Sequence, residues 1–315
     1  MYQRLLLTLL LLSAVLGGAT AALAQDIGTL DPKPLPPLAN PNDPKLGAKQ
    51  LFGRKVLPAA MPTRVIGFYS HGCIAGAEAL PINGDTWQVM RLSRNRNWAH
   101  PDMVALLKRL SAKIHKDAGW PGILIGDMAQ PRGGPMITGH ASHQVGLDAD
   151  VWLTPMPDHR LSREEREEMS ALMMVRPDRL DVDTHVWTPG HLIAIRDAAQ
   201  EPRVQRIFVN PAIKKALCRE ATGDRSWLSK VRPFWGHDYH FHIRITCPAG
   251  AKQCEPQPPP SDDEGCKPAD FAYWFKDSVL HPKPSPEPAT PSRGPTMAQL
   301  PADCRKVLAA PDAKP

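Results

Sequence analysis

Apolar positions recur along this chain in two periods, and the changes from one to the other mark its elements. From Pro101 to His115, residues Met103, Leu106, Leu107, Leu110 and Ile114 fall at the spacing that lines one face of a helix. The run from Gly122 to Gly126 is short, apolar and bounded by glycine, which reads as a strand. Ser162 and Glu165 form a capping box for a charged helix through Met174. Pro189 to Ala199 reads as another helix and Arg206 to Val209 as a strand, while Asn210-Pro211 supplies the cap and first turn of a helix reaching about Cys218. Helices and strands do not alternate in the regular way that builds a parallel sheet, so the expected class is α+β.

Two strands carry polar faces with chemical content. From Leu147 onward the period is two, with Leu147, Ala149 and Val151 on one side and Asp148, Asp150 and Trp152 on the other. Two carboxylates therefore point the same way. Gly146 allows a turn just before this strand, which can bring His143 back over Asp150. Further along, Tyr239, Phe241, Ile243 and Ile245 form the apolar side of a second strand, leaving His240, His242 and Arg244 on the opposite side. Two imidazoles on one strand face stand about 7 Å apart, close enough to serve one reaction centre. His237 precedes that strand, so parity does not give its direction.

The amino terminus changes the picture by placing the protein outside the cytoplasm. Arg4 precedes an apolar run from Leu5 to Leu12, followed by small residues and Ala22-Leu23-Ala24 before Gln25. That is the pattern of a secretory signal peptide over 1–24, and the run is short against the ~30 Å of hydrocarbon an anchor must cross. No second run has the length of a spanning helix, so no stable membrane insertion is expected once the signal is removed, and the expected compartment is the periplasm. The cysteines agree with export. Cys73, Cys218, Cys247, Cys254, Cys266 and Cys304 are even in number and include no Cys-x-x-Cys pair, which favours disulfides over a thiolate metal site. Spacing leaves their connectivity open, with Cys247 and Cys254 the one pair close enough in sequence to suggest itself.

Length and charge set the remaining bounds. A chain of 315 residues with 42% hydrophobic content can bury one substantial core. Residues 25–60 read as a linker or amino-terminal extension, with a proline-rich stretch from Asp31 to Pro44, and 61–255 as the main domain. The proline-rich segment 256–315 reads as a tail pinned by Cys266 and Cys304. A net charge of +6 suits a carboxylate-rich partner as well as it suits simple solubility. No basic block is long enough to indicate nucleic acid.

Zinc in a hydrolase takes about three nitrogen or oxygen ligands from the protein and leaves one position open for water. Two histidines and an aspartate meet that need, and a further histidine can move a proton or steady an oxyanion. His143-x6-Asp150 paired with His240-x-His242 offers such a set, although a lone His-x-His is weak. His100, His115, His159, His185, His191 and His281 lack such company and read as surface or capping residues.

These paired patterns resemble the signature of the LAS group of metallopeptidases, which contains lysostaphin-like and D-Ala-D-Ala peptidases. Longer blocks narrow the resemblance: Gly72-Cys73-Ile74 with Leu80-Pro81-Ile82, Gln88-Val89-Met90-Arg91, Ile125-Gly126-Asp127-Met128, Gly139 to Asp150, Ile207 to Lys215, and Val231-Arg232-Pro233. They look like the penicillin-insensitive murein endopeptidases, from about Gly67 to Cys304. The resemblance implies an antiparallel sheet with surrounding helices. It implies zinc ligands at His143, Asp150 and His242, a catalytic histidine at His240, an auxiliary one at His237, and a further histidine near the metal at His140. It also implies the pairings Cys73 with Cys304, Cys218 with Cys266, and Cys247 with Cys254. A second metal site of some members would fall on Asp178, but Asp181 stands where its histidine would be. The implied reaction is hydrolysis of the D-alanyl to meso-diaminopimelyl amide that cross-links peptidoglycan. Because β-lactams acylate a serine, a zinc-dependent site would be insensitive to penicillin. The alternatives are a D,D-carboxypeptidase or dipeptidase on uncross-linked stem peptides, and a non-catalytic wall-binding protein stabilised by zinc.

Overall fold

The computed structural model describes residues 28–282 and 292–314. Residues 1–24, expected to be a signal peptide, lie outside the described residues. Ten strands are described: β1 (Arg64–Phe68), β2 (His71–Ala75), β3 (Glu78–Ala79), β4 (Trp87–Val89), β5 (Trp98–Ala99), β6 (Ile123–Ile125), β7 (Asp148–Pro155), β8 (Val204–Val209), β9 (Val231–Pro233) and β10 (His240–Ile245). Six of them form the main sheet in the order β4-β6-β7-β10-β8-β9, beside two small hairpin-like pairs, β1-β2 and β3-β5.

The class is α+β, but the sheet is mixed. Its central pairs β6-β7, β7-β10 and β10-β8 are antiparallel, whereas β4-β6 and β8-β9 are parallel. The reason is a helix inside each edge connection. Helix α1 (Ala48–Phe52) precedes the sheet, α2 (Pro101–Ala118) lies between β4 and β6, and after α3 (Arg163–Glu168) and α4 (Pro189–Gln200) comes α5 (Pro211–Glu220), between β8 and β9. A helix carries the chain back to the end of the sheet from which it started, so the next strand runs parallel.

Local chemistry fixes the helix ends. Pro101 occupies the first turn of α2, where its fixed φ suits the helix and its missing N–H costs nothing, and the His100 ring accepts from Asp102 N at 3.2 Å. Met103, Leu106, Leu107, Leu110 and Ile114 of α2 are buried against Leu147, Ala149, Val151, Phe241 and Ile243, which form the apolar side of the sheet. The capping box at α3 has both halves, Glu165 N donating to Ser162 Oγ at 3.1 Å and Ser162 N donating to the Glu165 carboxylate at 2.7 Å. That helix stops at Glu168 rather than Met174. Arg91 takes the carbonyls of Arg166 and Met169 at 2.7 and 2.6 Å, and Met174 turns inward to full burial with its N–H bonded to the Asp238 carbonyl. Charged spacing alone could not reveal that competition for carbonyls.

The carboxy terminus returns to build a second core. Helices α6 (Pro268–Phe271) and α7 (Asp277–Leu280) are short, and α8 (Asp303–Ala309) packs Cys304 and Val307 against Phe52, Ile66, Cys73 and Ala75. Cys73 is bridged to Cys304, Cys218 to Cys266, and Cys247 to Cys254. Arg132, fully buried, closes this end by donating to the carbonyls of Leu57, Val307, Leu308 and Ala310 and to the Asp312 carboxylate. Replacing it leaves several carbonyls without a donor. Arg132→Met is expected to lower unfolding free energy by roughly 3 kcal/mol, since each unsatisfied buried acceptor costs about 1–3 kcal/mol. Urea denaturation measures it, and a change below about 1 kcal/mol would show that water replaces the guanidinium.

Candidate metal centre

Strand pairing assembles the site. In the β7-β10 register, Asp150 lies opposite His242, Asp148 opposite Arg244, and Trp152 opposite His240. Residues directly opposite on one face have Cβ atoms about 5 Å apart, so three facing pairs converge without any loop rearrangement. The loop before β7 adds the fourth side. His143 sits at φ 66° and Gly146 at φ 72°. A Cβ on Gly146 would stand 2.9 Å from His100 N, so only glycine makes this turn. The turn buries the His143 ring completely, with its Nε2 3.5 Å from Asp150 Oδ1.

The candidates from sequence gather here with one exception. His242 Nδ1 lies 3.2 Å from Asp150 Oδ1, His240 Nε2 lies 3.7 Å from the same oxygen, and His140 Nε2 lies 3.5 Å from Asp150 Oδ2. Ring centroids are 4.2 Å apart for His140 and His143, 4.6 Å for His143 and His242, and 4.9 Å for His237 and His240. His237 donates from Nδ1 to the Trp235 carbonyl at 2.8 Å, which turns its other nitrogen away from that contact. Asp178 is the exception. It is exposed, and its carboxylate is held by Arg176 and by Leu180 N.

The arrangement fits a cation. Buried polar atoms normally have partners, yet both nitrogens of His143, Asp150 Oδ1 and His240 Nδ1 have none. His140, His143 and Asp150 each offer one ligand atom, all within 4.8 Å of one another. Protonation states favour coordination as well. Burial, with His140 and His242 alongside, pushes His143 down to about 4, and burial with His240 and His242 pushes His237 down to about 3. Burial also lowers His240. Burial opposes charge on Asp150 too, but the surrounding histidines outweigh it and keep the carboxylate ionised. Against burial, Asp150 and Asp127 raise His140, and Asp148 and Asp150 draw His242 up to about 9, so a cation bound at His242 Nδ1 would displace a proton there. With that proton gone, imidazoles around one carboxylate are a donor set suited to zinc.

Sequence reasoning missed the groups that hold this set in place. Asp127 Oδ2 receives Arg96 at 2.7 Å, Arg94 at 3.1 Å and His140 Nε2 at 3.1 Å. Asp148 accepts from His242 Nε2 at 2.9 Å. Asp127 stood inside a recognised block and Asp148 shared the face of Asp150, but neither position showed its partners. Tyr239 was placed on the core side of its strand. It lies instead before the strand begins and packs its ring on His240, with centroids 4.5 Å apart. A cleft of about 590 Å³ opens over His140, Asp150 and His240 and is walled by Arg96, Trp152 and Tyr239. Gly28 and Thr29 reach its rim, held by Glu167 O and Ser93 Oγ at 2.8 and 3.1 Å.

The profile of the penicillin-insensitive murein endopeptidases matches residues 65–309. The chain belongs to that family. A protein of Haemophilus influenzae named penicillin-insensitive murein endopeptidase is 45% identical over 248 residues, covering 78% of this chain and 83% of its own. One of Klebsiella pneumoniae with the same name is 43% identical over 251 residues, covering 80% and 88%, and one of Escherichia coli K12 is 42% identical over 254 residues, covering 80% and 88%. The murein endopeptidase profile spans both the β7-β10 pairing and the Cys73–Cys304 bridge, so the centre and its carboxy-terminal brace lie within the shared region.

Asp127→Asn would leave Arg94 and Arg96 facing a neutral amide. It is expected to lower stability by roughly 3 kcal/mol, the low end for breaking a buried ion pair. Thermal unfolding of the metal-free variant measures this, and an unchanged midpoint would mean that the cluster contributes nothing to the fold.

Proposed function

We propose that this chain is an exported zinc-dependent murein endopeptidase that hydrolyses D-alanyl to meso-diaminopimelyl cross-links. The observation that carries the reading is the set of partnerless buried atoms on His143, Asp150 and His240 beside His242 Nδ1, in a member of this family. His143, Asp150 and His242 would hold the ion. A zinc ion there would supply Lewis acidity, lowering the pKa of a water and polarising the scissile carbonyl.

The residues of the chain account for the remaining steps. His240, buried and neutral, stands beside Asp150 at the floor of the cleft, placed to take a proton from the attacking water and return it to the leaving amine. His237, its ring centroid 4.9 Å from that of His240, would steady charge on the oxyanion as an auxiliary group. His140 is kept in the site by Asp127 and, through Asp150, limits the movement of the carboxylate. Arg94 and Arg96 give the cleft a positive wall suited to the free carboxylates of stem peptides.

Export to the periplasm is supported by the signal pattern at 1–24 and by three disulfides, which persist in oxidising compartments. Among the described residues no helix is long and apolar enough to cross a membrane.

Two expected outcomes test this reading. Digestion of isolated sacculi should release uncross-linked muropeptides, stop on treatment with a chelator and return with zinc. Activity that survives complete metal removal, checked by elemental analysis, contradicts it, and products missing only a terminal D-alanine would indicate a carboxypeptidase. Substitution should also separate binding from chemistry. His242→Ala should lose zinc and activity together, whereas His240→Ala should keep near-stoichiometric zinc and lose turnover by roughly 10²–10⁴-fold. Parallel zinc content and cleavage assays decide it, and loss of the metal in His240→Ala would overturn the ligand assignment.

A further inference from the structure

Asp148 is a fully buried carboxylate that touches the centre without being free to bind a metal. Its Oδ1 accepts from His242 Nε2 at 2.9 Å and from Arg244 Nε at 2.7 Å. Its Oδ2 accepts the backbone N–H of His143 at 3.0 Å and Arg244 Nη2 at 3.4 Å. Every one of these partners is a donor, so the lone pairs of both oxygens face protons rather than the site. Strand parity put Asp148 and Asp150 on one face, but their surroundings give them different roles. Asp150 Oδ1 has no hydrogen-bond partner and Asp148 is saturated.

We propose that Asp148 is the positioning residue of the metal centre, fixing both His242 and His143 through one carboxylate. The proposal rests on the reading above that these two histidines are ligands. For His242 the effect is on the ring. A neutral imidazole carries its proton on either nitrogen with little preference, and the bond to Asp148 holds it on Nε2. That leaves Nδ1 as the lone-pair nitrogen, already 3.2 Å from Asp150 Oδ1. A carboxylate behind an imidazole also raises its basicity as a ligand. For His143 the effect is on the backbone. Its φ of 66° is disfavoured for a residue with a Cβ, and the bond from its N–H to Asp148 holds that turn closed.

Arg244 makes this carboxylate tolerable in a dry interior. Its guanidinium offsets the charge on Asp148 while stacking 4.2 Å from the centroid of Tyr69 and 5.2 Å from that of Phe208. Tyr69 is itself tied by its hydroxyl to the Ile245 carbonyl at 2.8 Å. Arg244 therefore serves stability, whereas Asp148 serves both stability and the ligands. The two can be told apart.

The test measures zinc affinity by competition with a chromophoric chelator, the visible spectrum of the cobalt(II)-substituted protein, and the melting point of the metal-free form. Asp148→Asn is expected to weaken zinc binding by roughly 10–100-fold and to alter the cobalt spectrum. Arg244→Gln is expected to lower the melting point while leaving zinc affinity and the cobalt spectrum close to wild type. A folded Asp148→Asn protein with wild-type affinity and spectrum overturns the proposal, as does an Arg244→Gln protein that loses zinc as severely as Asp148→Asn. If Asp148→Asn fails to fold, the double variant Asp148→Ser with Arg244→Met removes the carboxylate and its buried counter-charge together, and Arg244→Met alone is its reference. Weaker zinc binding in the double variant than in that reference supports the role of Asp148, and equal affinity overturns it. A wild-type protein that binds no zinc would instead sink the underlying assignment of His143, Asp150 and His242.

Discussion

The antiparallel pairing of β7 with β10 is the constraint on which the centre depends. It places Asp150 across from His242 and Asp148 across from Arg244 on one face, while Ala149, Val151, Phe241 and Ile243 fill the core on the other. A one-residue slip would turn every carboxylate and imidazole into the core and expose the apolar set, so the burial of one face enforces the geometry of the other. β6 and β8 flank this pair with further antiparallel ladders, and the parallel edges carry the helices that cover the apolar side. Hydrophobic burial thereby specifies the positions of groups that are themselves costly to bury.

That cost is met group by group. Asp127 faces Arg94, Arg96 and His140, Asp148 faces Arg244 and His242, and both carboxyls are held ionised against the opposing effect of burial. Asp150 differs in that only histidines surround it. His143 and His240 are pushed toward the neutral form, while His242 is drawn up to about 9 by Asp148 and Asp150 despite burial. The positive charge nearest Asp150 Oδ1 is thus no arginine or lysine but the proton of His242, whose Nδ1 lies 3.2 Å away. A divalent cation would take the place of that proton, and the family to which the chain belongs makes the centre intelligible as that of a murein endopeptidase.

Much of this was legible in the residues. Period-two alternation gave both central strands and the side of each that bears chemistry, because burial on one face writes that alternation directly into the sequence. The helix read from Pro101 to His115 was legible from its apolar face, although it runs on to Ala118, where Gly119 in the left-handed region ends it. The family blocks added the function, which no periodicity contains. What could not be read were interactions between distant segments. The capture of the Arg166 and Met169 carbonyls by Arg91 cut α3 short, and helices in the edge connections made two strand pairs parallel. The grip of Asp127 on Arg94 and Arg96, and the use of Asp148 as an acceptor for His143 and His242, join residues whose proximity only the folded chain creates.

The central claim is that one cation belongs among His143, Asp150 and His242, with His242 turned so that Nδ1 faces it. Anomalous diffraction at the zinc edge from crystals of the zinc-loaded protein locates that ion directly. The account predicts a single strong peak about 2.0–2.2 Å from a nitrogen of His143, a carboxylate oxygen of Asp150 and Nδ1 of His242, with His240 outside bonding distance. A peak bonded to Nε2 of His242, or one held by His140 and Asp127 with His242 excluded, would contradict it.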